Sequence, residues 1–378
     1  VAAALRPEAA RIDLDRLEAN YRAVLAFAGR PLMPVVKADA YGHGAPQVAL
    51  AFEALGVPLL AVAFTEEGAA LRRAGVRVPI LVMAGVAPED AELAAASALT
   101  PVVASERSLA GAARMARGGA GERLAVHLKL DTGMSRLGFR PEAAVESARR
   151  AVEAGLIVDG LMTHLAEPDE DAAATAAQLD RFDDALADLV RHGFAPRWVH
   201  AANSAGLAQI RPSHTLARPG ILLYGLRPRP LSPPIEVRPV MALVGRVEAV
   251  KQIAPGTAVS YGGRWVAARV SRIATVSIGY ADGVPRTQAM SQSGQFTIRG
   301  RRVPVVGTVC MDFTMLDVTD APEIGEADEA ILFGDDPTAW QIADWAGTNA
   351  WEVLTSVGLR VPRVYVRDGR ELAVLSRY

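Results

Sequence analysis

Cysteine occurs once in the 378 residues, at Cys310. An intrachain disulfide and a multi-cysteine metal centre are therefore both out of reach, and no metal site is expected. No uninterrupted apolar run approaches the roughly 20 residues of a membrane-spanning helix. Val1 to Arg6 has no basic stretch leading into a hydrophobic one, so the expectation is a cytoplasmic protein. An excess of charge of either sign is also missing. Forty Lys+Arg against 42 Asp+Glu leave a net charge of −2, and no overall field draws the chain to nucleic acid or to an anionic membrane. A small molecule is the expected partner. Lysine is scarce as well: Lys37, Lys129 and Lys251 are the only three, and arginine supplies the other 37 basic residues. Codon bias in a GC-rich genome accounts for most of that imbalance. It still makes the surviving lysines chemical suspects, because a desolvated lysine can lose its proton and attack an aldehyde, and arginine can do neither.

Hydrophobic residues make up 51% and charged residues 22% of the chain, enough apolar material for a sizeable core in about two domains. From residue 14 to about 220, short β-branched runs alternate with amphipathic helical stretches, the pattern of βα units around a parallel sheet. Eight strands are expected: Met33 to Val36, Leu60 to Ala63, Ile80 to Met83, Thr100 to Val103, Ala125 to Leu128, Ile157 to Met162, Trp198 to Ala201, and a short one near Leu216. Between them lie helices over Asp15 to Phe27, Gln47 to Leu55, Glu66 to Ala74, Ser105 to Arg117, Pro141 to Glu153 and Ala172 to Arg191. Eight such units close an α/β (β/α)8 TIM barrel, placed at residues 11–235.

The stretch Arg227 to Pro239 reads RPRPLSPPIEVRP, and its prolines mark a linker. Beyond it, alternating runs at Leu243 to Val250, Val270 to Ile278, Phe296 to Arg299, Val303 to Val306 and Phe313 to Val318 are separated by Gly, Pro and Asp clusters. They read as an all-β or mainly-β C-terminal domain over residues 236–378, which residues 1–10 are expected to join.

In such a barrel, reactive groups stand where strands end at the carboxyl face. Lys37 follows the first strand, Lys129 and Arg136 the fifth, His164 the sixth, Asn203 and Ser204 the seventh, and Arg218 the eighth. Each alone reads as an ordinary cap or paired polar group; together they gather cations and small loops at one mouth. An amine just after an apolar strand is partly desolvated and suited to an aldehyde. Gly220 in Arg218-Pro-Gly-Ile221 lets backbone N–H groups approach an anion, and the Ser204 and Tyr41 hydroxyls add donors. Lysine, phosphate cradle and barrel point to pyridoxal 5′-phosphate, for which a protein supplies orientation and electrostatics.

The motifs VVKADAYGHG, KLDTGMSRLGF, THLAEPDE, HAANSAG, RPGILLYG, VSYGG, GYADGVPR, VCMD and RVPRVY resemble the alanine racemase family in order and spacing. The likeness runs from RIDLDRLEANYR at residue 11 to RVPRVY near residue 365. It implies interconversion of L- and D-alanine, supplying D-alanine for peptidoglycan, by a homodimer whose active sites borrow residues from the partner. Carried over motif by motif, Lys37 is the Schiff-base lysine and the base for the D-enantiomer, and Tyr261 of the partner subunit is the base for the L-enantiomer. Inversion needs a proton removed from one face and one returned to the other, which two opposed groups do directly. Arg218 matches the arginine at the pyridine nitrogen, and His164 orients that network. Arg136 lies near the ring oxygen and the substrate carboxylate, to which Met311 offers its backbone N–H. Asp312 steadies the region beside Tyr261, Tyr280 is a further supporting residue, and Lys129 is a candidate for carbamylation.

Two departures stand out. Thr308 and Phe313 flank Cys310-Met311-Asp312 where the family usually has arginine and glutamine, and Trp351 replaces a tyrosine whose hydroxyl meets the phosphate. Trp351 offers an indole N–H and no acceptor. The expectation is that alanine turnover survives while exclusivity for alanine relaxes, so a broader amino-acid racemase is an alternative. More distant alternatives are a pyridoxal-phosphate-dependent decarboxylase, which calls for an acidic partner at the pyridine nitrogen, and a non-catalytic binding protein, which has no need of residues 240–378.

Overall fold

A computed structural model describes residues 8–118, 123–229 and 235–375, so residues 230–234 of the proline-rich linker and residues 1–7 lie outside it. Strand β1 (Ala9–Asp13) comes first, and the barrel follows with β2 (Leu60–Val62), β3 (Ile80–Val82), β4 (Thr100–Val103), β5 (Leu124–Lys129), β6 (Leu156–Met162) and β7 (Trp198–His200). These last six pair in sequence order, all parallel. Their residues are almost continuously buried and apolar, as expected of strands covered on both faces.

The first and eighth expected strands are present as single bridges rather than ladders. Val35 bridges Ala61 and Leu32 bridges Ala217. The N–H of Val36 donates to Ala61 O at 2.8 Å, that of Met33 to Ala217 O at 2.8 Å, and that of Thr215 to Val199 O at 2.8 Å. Pro34 has no N–H to extend a ladder, so the ring closes through short extended pieces. The expected helices are found as Leu14–Ala28, Ala45–Ala54, Thr65–Arg73, Glu106–Gly118, Ala144–Glu153 and Ala172–Arg191, with one more, Ala91–Ala96, that the apolar spacing did not indicate. Asp13 caps the first by accepting from Arg16 N–H, and Asp171 caps the last by accepting from Ala174 N–H.

The second domain is built on β8 (Met241–Ile253), followed by the hairpin β9 (Ala258–Val259) and β10 (Trp265–Val266), then β11 (Ser271–Val276), β12 (Gln295–Ile298), β13 (Arg301–Pro304), β14 (Thr314–Asp317), β15 (Glu329–Phe333), β16 (Arg363–Arg367) and β17 (Arg370–Leu375). The main sheet runs β13-β12-β15-β8-β1-β16-β17, with β11 pairing β8 and β14. β1 therefore lies inside the sheet of the second domain, antiparallel to β8 and parallel to β16. The domain is mainly β and not all β: helices Gln288–Ser293, Ala339–Ala346 and Ala350–Thr355 interrupt it. Thr338 and Asn349 open the latter two, each side chain accepting the N–H three residues on, a capping signal that the surrounding strand alternation obscures. Helix Ala350–Thr355 packs against the turn that carries Lys37, which brings the second domain to the barrel mouth.

Candidate active site

A cavity of about 330 Å³ opens at the carboxyl ends of the barrel strands. Lys37, Tyr41, His164, Asn203, Ser204, Arg218, Gly220, Ile221 and Trp351 line it, so the nine residues expected to hold a cofactor share one enclosure. Asp169, on the loop after β6, also faces it.

Arg218 is buried, and its guanidinium is held from several sides. Nη1 donates to His200 O at 2.7 Å and meets His200 Nδ1 at 2.9 Å; Nη2 donates to Thr163 O at 2.7 Å and Ala201 O at 3.0 Å, and lies 3.4 Å from His164 Nδ1. Nε has no protein partner among the described residues. Arginine only donates, so His200 Nδ1 and His164 Nδ1 must be acceptors. His200 Nε2 then carries the proton and donates to His127 Nδ1 at 2.8 Å. Burial keeps all three imidazoles neutral, with the Arg218 charge adding to the effect: His127 is pushed down to about 3, and His164 and His200 go well below the usual range. Burial also draws Arg218 down to about 9. His127 and His200 were not singled out from sequence. The available signal is their position: one histidine on the fifth barrel strand and one closing the seventh, both pointing into a polar barrel mouth.

Lys37 begins a left-handed turn. Burial and then the Arg136 charge lower its pKa, while Glu67 opposes them, so the neutral amine is favoured relative to a free lysine. Lys129, at the end of β5, is buried, and burial, Arg136 and Arg218 bring it down to about 8 against the opposing pull of Asp131. Arg136 is exposed, yet its charge reaches Lys37, Lys129 and His164.

The residues fit a phosphorylated aldehyde. Ser204 Oγ accepts the N–H of Gly220 at 2.9 Å and of Leu222 at 3.4 Å, folding the Arg218–Leu222 loop around the cavity. The Tyr41 hydroxyl has no hydrogen-bond partner among the described residues, Tyr41 lines the cavity, and a Cβ on Gly220 would overlap the hydroxyl. Hydroxyl donors beside this buried loop suit an anion. Trp351 stands at the cavity's edge, its ring edge-on to Trp340 with centroids 5.5 Å apart.

Tyr261, Tyr280, Met311 and Asp312 do not line this cavity. They gather on the second domain, where Tyr261 is 70% and Met311 51% exposed. The GYADG and VCMD segments are stitched together: Tyr280 N–H donates to Cys310 O at 3.0 Å and Ala281 N–H to Met311 O at 3.1 Å. Asp312 pairs with Arg360 at 2.7 Å, and Arg360 also pairs with Asp282. Thr308, seen in sequence only as a departure, has a task of its own. Its hydroxyl donates to Tyr261 O at 2.9 Å, and Ser260 Oγ donates to Thr308 O, so the Tyr261 loop is tied to the segment before Met311.

Comparison with known proteins agrees with this architecture. The profile for the alanine racemase N-terminal domain matches residues 12–228 and that for the alanine racemase C-terminal domain residues 240–365. A curated alanine racemase of Desulfovibrio desulfuricans is 41% identical over 370 residues, spanning 96% of this chain and 98% of that protein. The structure of an alanine racemase from Clostridium difficile superposes with a TM-score of 0.91 at 34% identity, covering 99% of both chains. That of an alanine racemase from Bacillus anthracis, with bound L-Ala-P, gives 0.90 at 32% identity, again covering 99% of both. With both halves matched in order and nearly the whole length aligned, the chain belongs to the alanine racemase family.

Proposed function

We propose that the protein interconverts L- and D-alanine with pyridoxal 5′-phosphate held in the 330 Å³ cavity. The observation that carries this reading is the convergence on that cavity of Lys37, an anion cradle and the buried Arg218. When bound, the cofactor supplies an aldehyde and a ring that accepts the electron pair left at the substrate's Cα. Tyr41, Ser204 and the Ile221 N–H would hold the phosphate, the Gly220 N–H being given to Ser204 Oγ, with Trp351 offering its indole N–H at the edge. Among the described residues, Nε is the one Arg218 donor without a protein partner, and it would serve the ring nitrogen. A guanidinium there would donate a hydrogen bond rather than a proton, so the ring would accept electrons less strongly than beside an acidic partner.

Lys37 would hold the cofactor through its amine in the resting protein and, with that amine set free by the substrate's own, would take up or return the α-proton on one face of the substrate. The lowered pKa of its amine suits a base. The opposite face needs a second group, and the likeness to the family, rather than the lining of this cavity, assigns it. Tyr261, exposed on the second domain, fills that role from a partner subunit, and Thr308 holds its loop. Arg136 binds the substrate carboxylate as a planar donor, with the Met311 N–H from the partner beside it. Carbamylation of Lys129 turns a cation that repels Arg136 into an anion that holds it, and a pKa near 8 leaves a reactive neutral fraction at physiological pH.

The test is chiral chromatography of the purified protein with L-alanine and pyridoxal phosphate. D-alanine accumulates to equality with no pyruvate or carbon dioxide. Pyruvate indicates transamination and carbon dioxide a decarboxylase, and either as main product overturns the reading. A panel that includes serine and larger amino acids reads whether Thr308, Phe313 and Trp351 relax exclusivity; reaction with alanine alone removes that part of the proposal.

A further inference from the structure

The residues after Lys37 adopt a backbone that side chains resist. Ala38, Asp39, Ala40 and Tyr41 have φ of 52°, 54°, 53° and 54°, and none is glycine. Each L-residue in this left-handed region is disfavoured against the right-handed one, so four in a row persist only where the surroundings over-determine them. At the start of the turn, Glu67 does so: Oε1 accepts Ala38 N–H at 2.7 Å, and Oε2 accepts the N–H groups of Ala63 and Phe64. At its end the hold comes from the second domain. Arg363 Nε donates to Gly42 O at 3.1 Å, and its Nη1 and Nη2 donate to the carbonyls of Gly358, Val361 and Val357. The Tyr365 hydroxyl donates to His43 O at 3.1 Å. A Cβ on Gly42 would strike the carbonyl of Leu354 and one on Gly44 the Tyr365 hydroxyl, so β16 and helix Ala350–Thr355 sit directly on the turn. Arg363 and Tyr365 are buried, and neither lines the cavity.

We propose that Arg363 and Tyr365 are positioning residues for Lys37. By pinning the carbonyls of Gly42 and His43 they hold the turn left-handed, and the turn fixes where the Lys37 amine at its start and the Tyr41 hydroxyl at its end face in the cavity. The second domain thus sets the geometry of the lysine in its own barrel, a task separate from presenting Tyr261. The importance of that geometry rests on the reading of Lys37 as the cofactor lysine; the geometry itself can be read without cofactor or substrate.

The experiment is competitive labelling of the full chain, freed of cofactor, with trace acetic anhydride across a pH series. Peptide mass spectrometry then gives an apparent pKa for each amine. Three lysines make the readout clean: exposed Lys251 is the reference and buried Lys129 the control for the barrel as a whole. Tyr365→Phe keeps the ring and removes the donor. The turn loosens, the Lys37 amine gains water, and its apparent pKa rises by roughly 0.5 to 1 while Lys129 and Lys251 stay put. Arg363→Lys, which keeps the charge and loses the fork, moves Lys37 in the same direction; if that variant does not fold, Tyr365→Phe decides alone. A lowered melting temperature with Lys37 unmoved assigns Tyr365 to stability only, and a shift shared by Lys129 means general loosening. Either result overturns the proposal. Absence of racemisation by the unaltered protein speaks to the function and leaves this result standing.

Discussion

At the scale of single residues, the barrel mouth is a concentration of cations whose charges are held down by burial and by one another. Lys129 carries a direct consequence. Its pKa falls from 10.5 to about 8 on folding, so between those values the unfolded chain binds a proton that the folded chain does not. Stability therefore rises with pH across that window, and the penalty is fully present below about 8. In carbonate-free buffer, urea unfolding of the unaltered protein and of Lys129→Met should show the former gaining up to about 3 kcal/mol on the latter between pH 8 and 10.5. A difference that stays flat or falls contradicts the buried-cation account. Gly220 carries a second consequence. Alanine there drives a methyl into the Tyr41 hydroxyl, and pyridoxal phosphate affinity, followed by fluorescence titration, should weaken about tenfold, equivalent to 1.4 kcal/mol. Affinity unchanged in Gly220→Ala removes Tyr41 from the cradle.

At the scale of elements, the left-handed turn inverts the usual rule for glycine. In a right-handed helix, Ala→Gly costs about 0.5–1 kcal/mol, and Ala185→Gly within helix Ala172–Arg191 should show that loss in urea denaturation. Ala38→Gly should instead leave stability unchanged or raise it by about 1 kcal/mol, because glycine bears no penalty at φ 52°. Equal losses at both positions would falsify the strain assigned to the turn. Elements are also where sequence reading was most and least successful. The six strands β2 to β7 and the helix Ala172–Arg191 were legible because buried parallel strands and amphipathic helices imprint their periods on the chain. The turn at Lys37 was not, because Ala-Asp-Ala-Tyr carries no left-handed signal; its contacts are with Glu67, in the next βα unit, and with Arg363 and Tyr365, more than 300 positions away.

At the scale of the whole molecule, the cavity residues come from one chain, and Tyr261, Tyr280, Met311 and Phe313 are exposed on its second domain, outside that cavity. If two chains share each site, inactive Lys37→Ala and inactive Tyr261→Phe complement one another. Denatured together and refolded one to one, they should recover roughly a quarter of full activity, since half of the dimers are mixed and each of these holds one intact site. No recovery, with mixed dimers shown by mass spectrometry, places both bases on one chain.

The sequence alone determined the order of βα units, the lysines worth suspecting and, through its motifs, the family, because these depend on local periodicity and on residue types at fixed spacing. Only the tertiary structure decided that residues 11–13 join Ala9 and Ala10 in the far domain's sheet, that Arg218 sets the tautomers of His164 and His200 and, through His200, that of His127, that Thr308 ties down the Tyr261 loop, and that Arg363 and Tyr365 donate to the carbonyls ending the turn at Lys37. Those are pairings between distant segments. Hydrogen bonds of that kind leave no period in a chain, and they exist only once folding has brought the partners within about 3 Å.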